Sequence, residues 1–280
     1  MRIITTVDEM REACAQARRA GKKLGFVPTM GALHDGHISL VREARKRCDV
    51  IAASIFVNPT QFAPNEDFAK YPRPLERDCA LLKQENVELL LTPSREEMYP
   101  LGAVTFVEVE ELSERLCGKS RPGHFRGVTT IVNKLLNIIQ PTFAFFGQKD
   151  AAQAAIVRKM VRDLDMEVEI VVCAIVREAD GIAMSSRNVY LNAADRKKAG
   201  VLYRALQKVK SQYDAGERDA AKLIAAAKRV FAEEPEVRLE YVEIVNPNTL
   251  EAARDFARPV LVAVAARVGS TRLIDNIVLP

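Results

Sequence analysis

The sequence predicts an α/β protein: a Rossmann-like parallel sheet with helices on both faces over residues 1–176, then a smaller α+β domain over residues 177–280. Three observations lead there. Short apolar runs alternate with helical patterns through the first 176 residues, the order that builds a parallel sheet covered on both sides. The run Val50–Val57 carries no charge, the mark of a strand buried on both faces. The last hundred residues change to two long amphipathic helices followed by strand-like runs, which suits an α+β unit.

The elements follow in order. Lys22–Thr29 reads as a strand. Residues 37–47 read as a helix, with Ile38, Leu40, Val41 and Ala44 apolar and Arg42, Arg45, Lys46 and Arg47 on the solvated face. The strand 50–57 runs into a polar loop, 58–72, that carries Pro59, Pro64 and Pro72. A helix at 74–86 leads to a strand at 88–92, and a shorter strand is expected at 104–109. Helix 125–139, strand 142–146, helix 149–163 and strand 167–176 complete the first part. In the second part, helices are expected at 193–214 and 217–233 and strands at 238–245, 259–268 and 272–279. No repeat or low-complexity linker separates the parts, so close packing is expected. In an open parallel sheet, ligands bind outside the carboxyl ends of the strands, at the switch in strand order. The residues after positions 29, 57, 146 and 176 should therefore meet at one crevice.

Four segments at those strand ends carry candidate chemistry. Met30-Gly31-Ala32-Leu33-His34-Asp35-Gly36-His37 follows the first buried strand and opens a helix. Gly31 and Gly36 let backbone approach a bulky anion, and a helix start favours phosphate. His34 and His37 can donate hydrogen bonds to that anion; with no third ligand in view they make a poor zinc site. Asn58 and Gln61 offer amides suited to a polar or zwitterionic substrate. In Phe146-Gly147-Gln148-Lys149-Asp150, Lys149 suits a polyphosphate, while Asp150 can take a ribose hydroxyl or cap a helix. Gln153 lies one helical turn further on. Met184-Ser185-Ser186-Arg187 combines hydroxyls, amides and a guanidinium in a movable phosphate clamp. A fifth segment, Ser120–Gly127, is read as bordering the site.

Composition narrows the class. The 280 residues are 48% hydrophobic and 28% charged, with net charge +4 and pI about 8.8. A mild basic excess suits an anionic small molecule, and mixed signs with 6% aromatics and no tryptophan argue against a nucleic-acid partner. Five dispersed cysteines without a C-x-x-C pair point to a reducing compartment. Met1–Thr5 shows no signal-peptide pattern and no uncharged apolar run is long enough to span a bilayer, so a cytoplasmic location without a membrane partner is expected. There is no Walker-type phosphate loop and no G-x-G-x-x-G after the first strand, which excludes P-loop kinases and disfavours nicotinamide binding.

Together these pieces resemble the nucleotidylyl-transferase superfamily, in which His34-Asp35-Gly36-His37 plays the HIGH-like part and Met184–Arg187 the KMSKS-like part. The finer pattern resembles the pantoate–β-alanine ligase family: PTMGALHDGH, SIFVNPTQF, YPR, SRPGHFRGV, FFGQKDAAQ, MSSRN and RLIDN stand in the same order. The resemblance implies ATP as a substrate, Mg2+, a pantoyl-adenylate intermediate, β-alanine as acceptor and a homodimer. It implies that His34 and His37 face the phosphates, with His37 as proton donor, and that Lys149, Ser185, Ser186 and Arg187 hold the triphosphate. Gly147, Asp150 and Val176 would line the nucleoside side, Gln61 and Gln153 would grip pantoate, and Asn58 with Gln61 would border the β-alanine site. Asp78 is the candidate metal neighbour, and residues 60–70 the candidate lid. The alternatives are a superfamily adenylyltransferase with no acceptor amine and a non-catalytic nucleotide- or RNA-binding protein on the same fold.

Overall fold

The computed structural model describes residues 1–280. Six strands form one sheet: β1 (Arg2–Ile4), β2 (Leu24–Thr29), β3 (Val50–Ile55), β4 (Leu89–Leu91), β5 (Phe143–Gly147) and β6 (Glu169–Cys173). Their order is β1-β4-β3-β2-β5-β6, and every pairing is parallel. β2 and β3 are buried almost throughout, as strands covered on both faces must be. The helices that cover them are α1 (Val7–Arg19), α2 (Asp35–Arg45), α3 (Leu75–Gln84), α6 (His124–Ile139) and α7 (Ala151–Asp163). Two one-turn helices, α4 (Arg95–Met98) and α5 (Cys117–Ser120), punctuate the long β4–α6 connection. The fold class is the one the sequence predicts.

The second part begins with α8 (Ala193–Ala199), α9 (Val201–Asp214) and α10 (Ala220–Ala232). They precede an antiparallel sheet, β7 (Val237–Val245), β8 (Val260–Val268) and β9 (Thr271–Leu279), with β8 in the middle. Alternate residues of a strand face opposite ways, and β8 uses both faces. Val260, Val262, Val264 and Ala266 pack with Leu202, Leu206 and Leu223 of the helices. Leu261 and Ala263 join the core of the first part beside Phe125 and Ala152. The close packing expected between the two parts has this physical basis.

Four elements depart from expectation. Residues 104–109 form no strand. Their polar backbone is satisfied by a helix instead: Val107 N–H donates to Thr130 Oγ1 at 3.0 Å, and Val107 O accepts from Thr129 Oγ1 at 2.6 Å. The single helix expected over 193–214 is two, divided at Gly200, the residue with the weakest helix propensity short of proline. β1 and α1 were not foreseen; a three-residue strand is too short to carry a period.

α6 approaches the 58–61 turn so closely that Gly127 is obligatory. A Cβ there would lie 2.3 Å from Thr60 O.

Candidate active site

The chain runs from β2 to β3 and β4 on one side of the sheet, then returns to place β5 and β6 on the other. The switch point lies between β2 and β5, so the loops leaving these two strands face the crevice.

The turn after β2 is held rigidly from behind. Gly31 and Ala32 have φ of 80° and 50°, a conformation that needs external support at alanine. Asp78, 1% exposed on α3, supplies it. Its carboxylate accepts from Ala32 N–H at 2.7 Å and Leu33 N–H at 2.8 Å. Burial lifts the Asp78 pKa above the usual carboxylate range, opposed by those two donors. Asp78, the expected metal neighbour, thus has both oxygens bonded to the backbone and shapes the turn.

His34 is the N-cap of α2, with Nδ1 accepting from Gly36 N–H at 3.1 Å, while His37 Nδ1 accepts from His34 N–H at 3.3 Å. With Nδ1 acting as acceptor in each ring, the proton of the neutral imidazole sits on Nε2. The rings lie 4.0 Å apart. Burial, then Lys149, pushes the His34 pKa down to about 4, and burial, then His34, pushes that of His37 down to about 3. Two neutral Nε2–H donors result.

After β3, Asn58 is 1% exposed and saturated. Its amide nitrogen donates to Gln61 Oε1 at 3.0 Å and Gly127 O at 3.1 Å, and its Oδ1 accepts from Thr60 Oγ1 at 3.0 Å and Tyr99 OH at 2.8 Å. No donor is left for a substrate, which differs from the expected substrate contact: Asn58 orients Gln61 instead. Gln61 Nε2 lies 3.0 Å from Met30 Sδ, a weak acceptor that a better one can replace.

After β5, Lys149 Nζ meets Asp150 Oδ1 at 3.2 Å. Burial alone would raise the Asp150 pKa; Lys149 outweighs it and holds the carboxyl below its usual range. After β6, Met184 N–H donates to Val176 O at 3.0 Å, bringing the clamp back over the sheet. Ser186 Oγ donates to Ala32 O at 3.0 Å, tying the clamp to the β2 turn. Ser185 Oγ accepts from Arg187 N–H.

Two cations are already partnered. Arg187 makes a two-bond fork with Asp67, 2.9 Å each, and Arg121 another with Glu66, 2.5 and 2.6 Å. Burial opposes both charges of the Arg187–Asp67 pair, yet the pair keeps Arg187 above and Asp67 below their usual values. Arg121 also contacts His124, whose pKa falls to about 4 through burial and that guanidinium.

These groups share one cavity of about 220 Å³, whose wall carries Met30, His34, Gly36, His37, Asn58, Gln61, Gly147, Lys149, Asp150, Gln153, Val176 and Met184–Arg187. Gly31, Ala32, Leu33, Asp35 and Gln148 of the expected ATP-binding set do not line it; the first three are buried and Asp35 is exposed. Lys149, Asp150, Gln153, Ser185 and Arg187 also border a second cavity of about 720 Å³, which reaches between the two parts of the chain to Arg272 and Asp275. That volume is within the span usual for small-molecule sites, roughly 300–1,000 Å³. Hydrogen-bond donors and cations gathered around one cavity suit transfer chemistry that depends on positioning and charge.

The Pantoate-beta-alanine ligase family model matches residues 2–278. The chain belongs to this family. Among curated relatives in the ligase family, the pantothenate synthetase of Koribacter versatilis is 56% identical over 279 residues, covering 100% of this chain and 96% of the relative. That of Thermotoga neapolitana is 55% identical over 279 residues, covering 100% of both. A crystal structure of pantothenate synthetase from Thermus thermophilus aligns with a TM-score of 0.95 at 47% identity, covering 99% of each chain. The pantoate-beta-alanine ligase of Francisella tularensis, complexed with beta-gamma ATP and beta-alanine, aligns with a TM-score of 0.81 at 34% identity, covering 99% of this chain and 97% of that one.

Sequence reasoning placed Arg121 and His124 only as bordering the site; both line the cavities. It missed Glu66 and Asp67 as partners of the site arginines. The signal available was their charge within a loop already suspected of moving.

Proposed function

We propose that the chain joins (R)-pantoate to β-alanine at the expense of ATP, giving pantothenate, AMP and pyrophosphate through a pantoyl adenylate. The observation that carries this reading is the convergence of His34, His37, Lys149, Ser185, Ser186 and Arg187 on one cavity beside Gln61 and Gln153. In the first step a pantoate carboxylate oxygen attacks the α-phosphorus of ATP, and the bond to the β-phosphate oxygen breaks to release pyrophosphate. In the second, the β-alanine amine attacks the acyl carbon, AMP leaves with the bonding pair, and the amine loses its extra proton.

Each residue has a part in that scheme. His34 and His37 donate from Nε2 to phosphate oxygens. In the ATP-free chain both rings are neutral, so His37 offers a hydrogen bond from Nε2, and the charge of bound ATP favours the protonated form that a proton donor needs. Lys149 and the Ser185–Arg187 clamp neutralise charge that builds on the leaving pyrophosphate. Gly147, Asp150 and Val176 face the nucleoside. Gln61, oriented by Asn58, and Gln153 hold pantoate, and β-alanine enters beside Gln61. The first part, 1–176, provides the sheet-borne loops, and the second, 177–280, carries the clamp. Residues 60–70 act as a lid, tied down through Glu66 and Asp67 to Arg121 and Arg187. A lid is needed because a mixed anhydride hydrolyses in water. Unaltered hydrogen exchange in 60–70 on binding ATP with pantoate would remove the lid from this account.

Mg2+ fits the donor set as an ion carried mainly by phosphate. No three His, Cys, Asp or Glu side chains gather into a metal cage, whereas a single carboxylate, Asp150, faces the cavity beside Lys149. Phosphate oxygens with one carboxylate and water are the usual surroundings of Mg2+, where it would neutralise charge on the triphosphate. We place the chain in the cytoplasm as a homodimer, with no nucleic-acid or membrane partner.

The deciding experiment is mass-spectrometric detection of pantothenate from ATP, pantoate and β-alanine, with AMP release followed in parallel. AMP release that depends on β-alanine supports the ligase. Pyrophosphate release with a stable adenylylated product and no response to β-alanine would favour an adenylyltransferase.

A further inference from the structure

The RLIDN stretch at 272–276 stands near the end of the chain, and the reaction scheme gives it no part. Its last two residues, Asp275 and Asn276 on β9, are 3% and 2% exposed. Polar groups buried this deeply are costly unless bonded, and the bonds these two make lead to the phosphate-binding loops.

Asn276 faces the turn after β5. Its Nδ2 donates to Gln148 O at 2.9 Å and Lys149 O at 3.0 Å, and its Oδ1 accepts from Gln148 Nε2 at 3.0 Å. Asp275 faces the other way, toward the segment that leads to the clamp. It accepts a fork from Arg177 at 2.7 and 3.0 Å, and its Oδ1 accepts from Asn276 N–H at 2.7 Å. Arg177 in turn donates to Gly181 O at 3.0 Å and lies over the Tyr203 ring at 4.2 Å. It pairs with Ala183 as a two-residue bridge, one residue before Met184. The alternation of a strand explains how neighbours serve two loops. Asn276 lies opposite Ala263, which packs into the first part, and Asp275 opposite Val264, which packs against the helices.

We propose that Asp275 and Asn276 are positioning residues that fix the Lys149 turn relative to the Ser185–Arg187 clamp, so that the two loops grip one triphosphate. The proposal rests on the ligase reading. Lys149 follows β5, whereas the clamp follows a long excursion and meets the sheet only through the bonds of Ser186 to Ala32 and of Met184 to Val176, neither of which reaches the Lys149 turn. β9 reaches that turn directly, with three bonds to it and a partly buried ion pair to Arg177 in the segment that leads to the clamp. An error of about 1 Å in such a span is enough to lower a transfer rate roughly 100-fold.

The test is a double-mutant cycle in the full chain, read as pyrophosphate release from ATP and pantoate. Asn276→Asp keeps the shape and replaces two N–H donors by an oxygen that repels the Gln148 and Lys149 carbonyls; thermal unfolding reports that the fold is kept. The expected result is a kcat lowered about 100-fold, with KM for pantoate within about twofold of wild type. In a Lys149→Ala background the same change should cost less than about threefold, because the group it places is gone. Equal losses in both backgrounds would mean a merely structural role and would overturn the proposal, as would wild-type kinetics in Asn276→Asp. Should that variant not fold, Gln148→Ala removes one of the three bonds from the opposite side, and the same comparison decides. A wild-type chain that releases no pyrophosphate with pantoate takes down the ligase reading and this proposal together.

Discussion

The two regions of the cavity proposed to face phosphate are built on opposite plans. In the turn after β2, backbone and side-chain bonds all point inward: Asp78 holds Ala32 and Leu33, and the two imidazoles use Nδ1 to cap α2. What remains free is a pair of Nε2–H donors aimed outward. In the clamp after β6, the strongest donor is engaged already, with Arg187 forked onto Asp67. The first region is preorganised and can stabilise developing charge without rearranging. On the proposed reading the second exchanges a carboxylate for a phosphate, which would let it admit ATP and later release pyrophosphate. A site that both activates and turns over needs one region of each kind.

The comparison breaks most sharply at the fixed donors. Lys149→Ala and His37→Ala should each cut pantothenate formation by about two to four orders of magnitude while the thermal unfolding midpoint stays near wild type. Near-normal turnover in both variants would show that charge develops neither at the turn after β2 nor at the Lys149 turn after β5. The next effect is on the scaffold behind that turn. Asp78→Ala leaves two buried N–H groups unpaired next to Ala32 at positive φ, and should lower unfolding stability by about 2–4 kcal/mol. A denaturant midpoint unchanged in Asp78→Ala would mean the turn holds its own shape.

How much of this was legible beforehand follows the same division. Strand alternation announced the sheet, and the rule for strand ends placed His34, Lys149 and Ser185 at one mouth before any coordinates. Each sits in a local motif whose glycines, histidines or hydroxyls stand out within a few residues. Asp78, Asp67 and Asn276 do not stand out, because their bonds span 45, 120 and 128 residues. A lone carboxylate in a helix or a lone amide in a strand has no local period that reveals its partner. Nor does any local pattern show that Asp78 bonds to the Ala32–Leu33 backbone or that Asn58 bonds to Gln61 and Gly127. The strand expected at 104–109 failed for a related reason. Its alternation is real, but Thr129 and Thr130 supply the bonds that a neighbouring strand would have supplied.

A smaller effect sharpens the exchange half of the comparison. Asp67→Asn removes the charge that competes with phosphate for Arg187. If that pair is worth about 1 kcal/mol, KM for ATP should fall about fivefold, with the gain shrinking as salt is raised. An unchanged or higher KM would mean that Arg187 stays with the loop and does not transfer to the triphosphate.

The smallest effect concerns the protons of the fixed region. The folded pKa values of His34 and His37, about 4 and about 3, lie below the ordinary 6.5. Lowered values mean that the unfolded chain takes up protons first as pH falls. Stability from these two rings is therefore complete above about pH 6.5 and is lost progressively on the way down to pH 4 and 3. ATP reverses the electrostatics that follow burial, because its charge favours the imidazolium form. At pH 5.5 the free protein holds both rings neutral, so ATP binding should draw in a fraction of a proton, and at pH 8 none. Calorimetry in two buffers of different ionisation enthalpy measures that fraction. ATP titrates in the same range, so the informative quantity is the difference between wild type and His37→Gln. A positive difference at pH 5.5 that vanishes at pH 8 puts His37 against the phosphates. No difference at either pH would confine the ring to capping α2 and leave Lys149 and the clamp to hold the triphosphate without it.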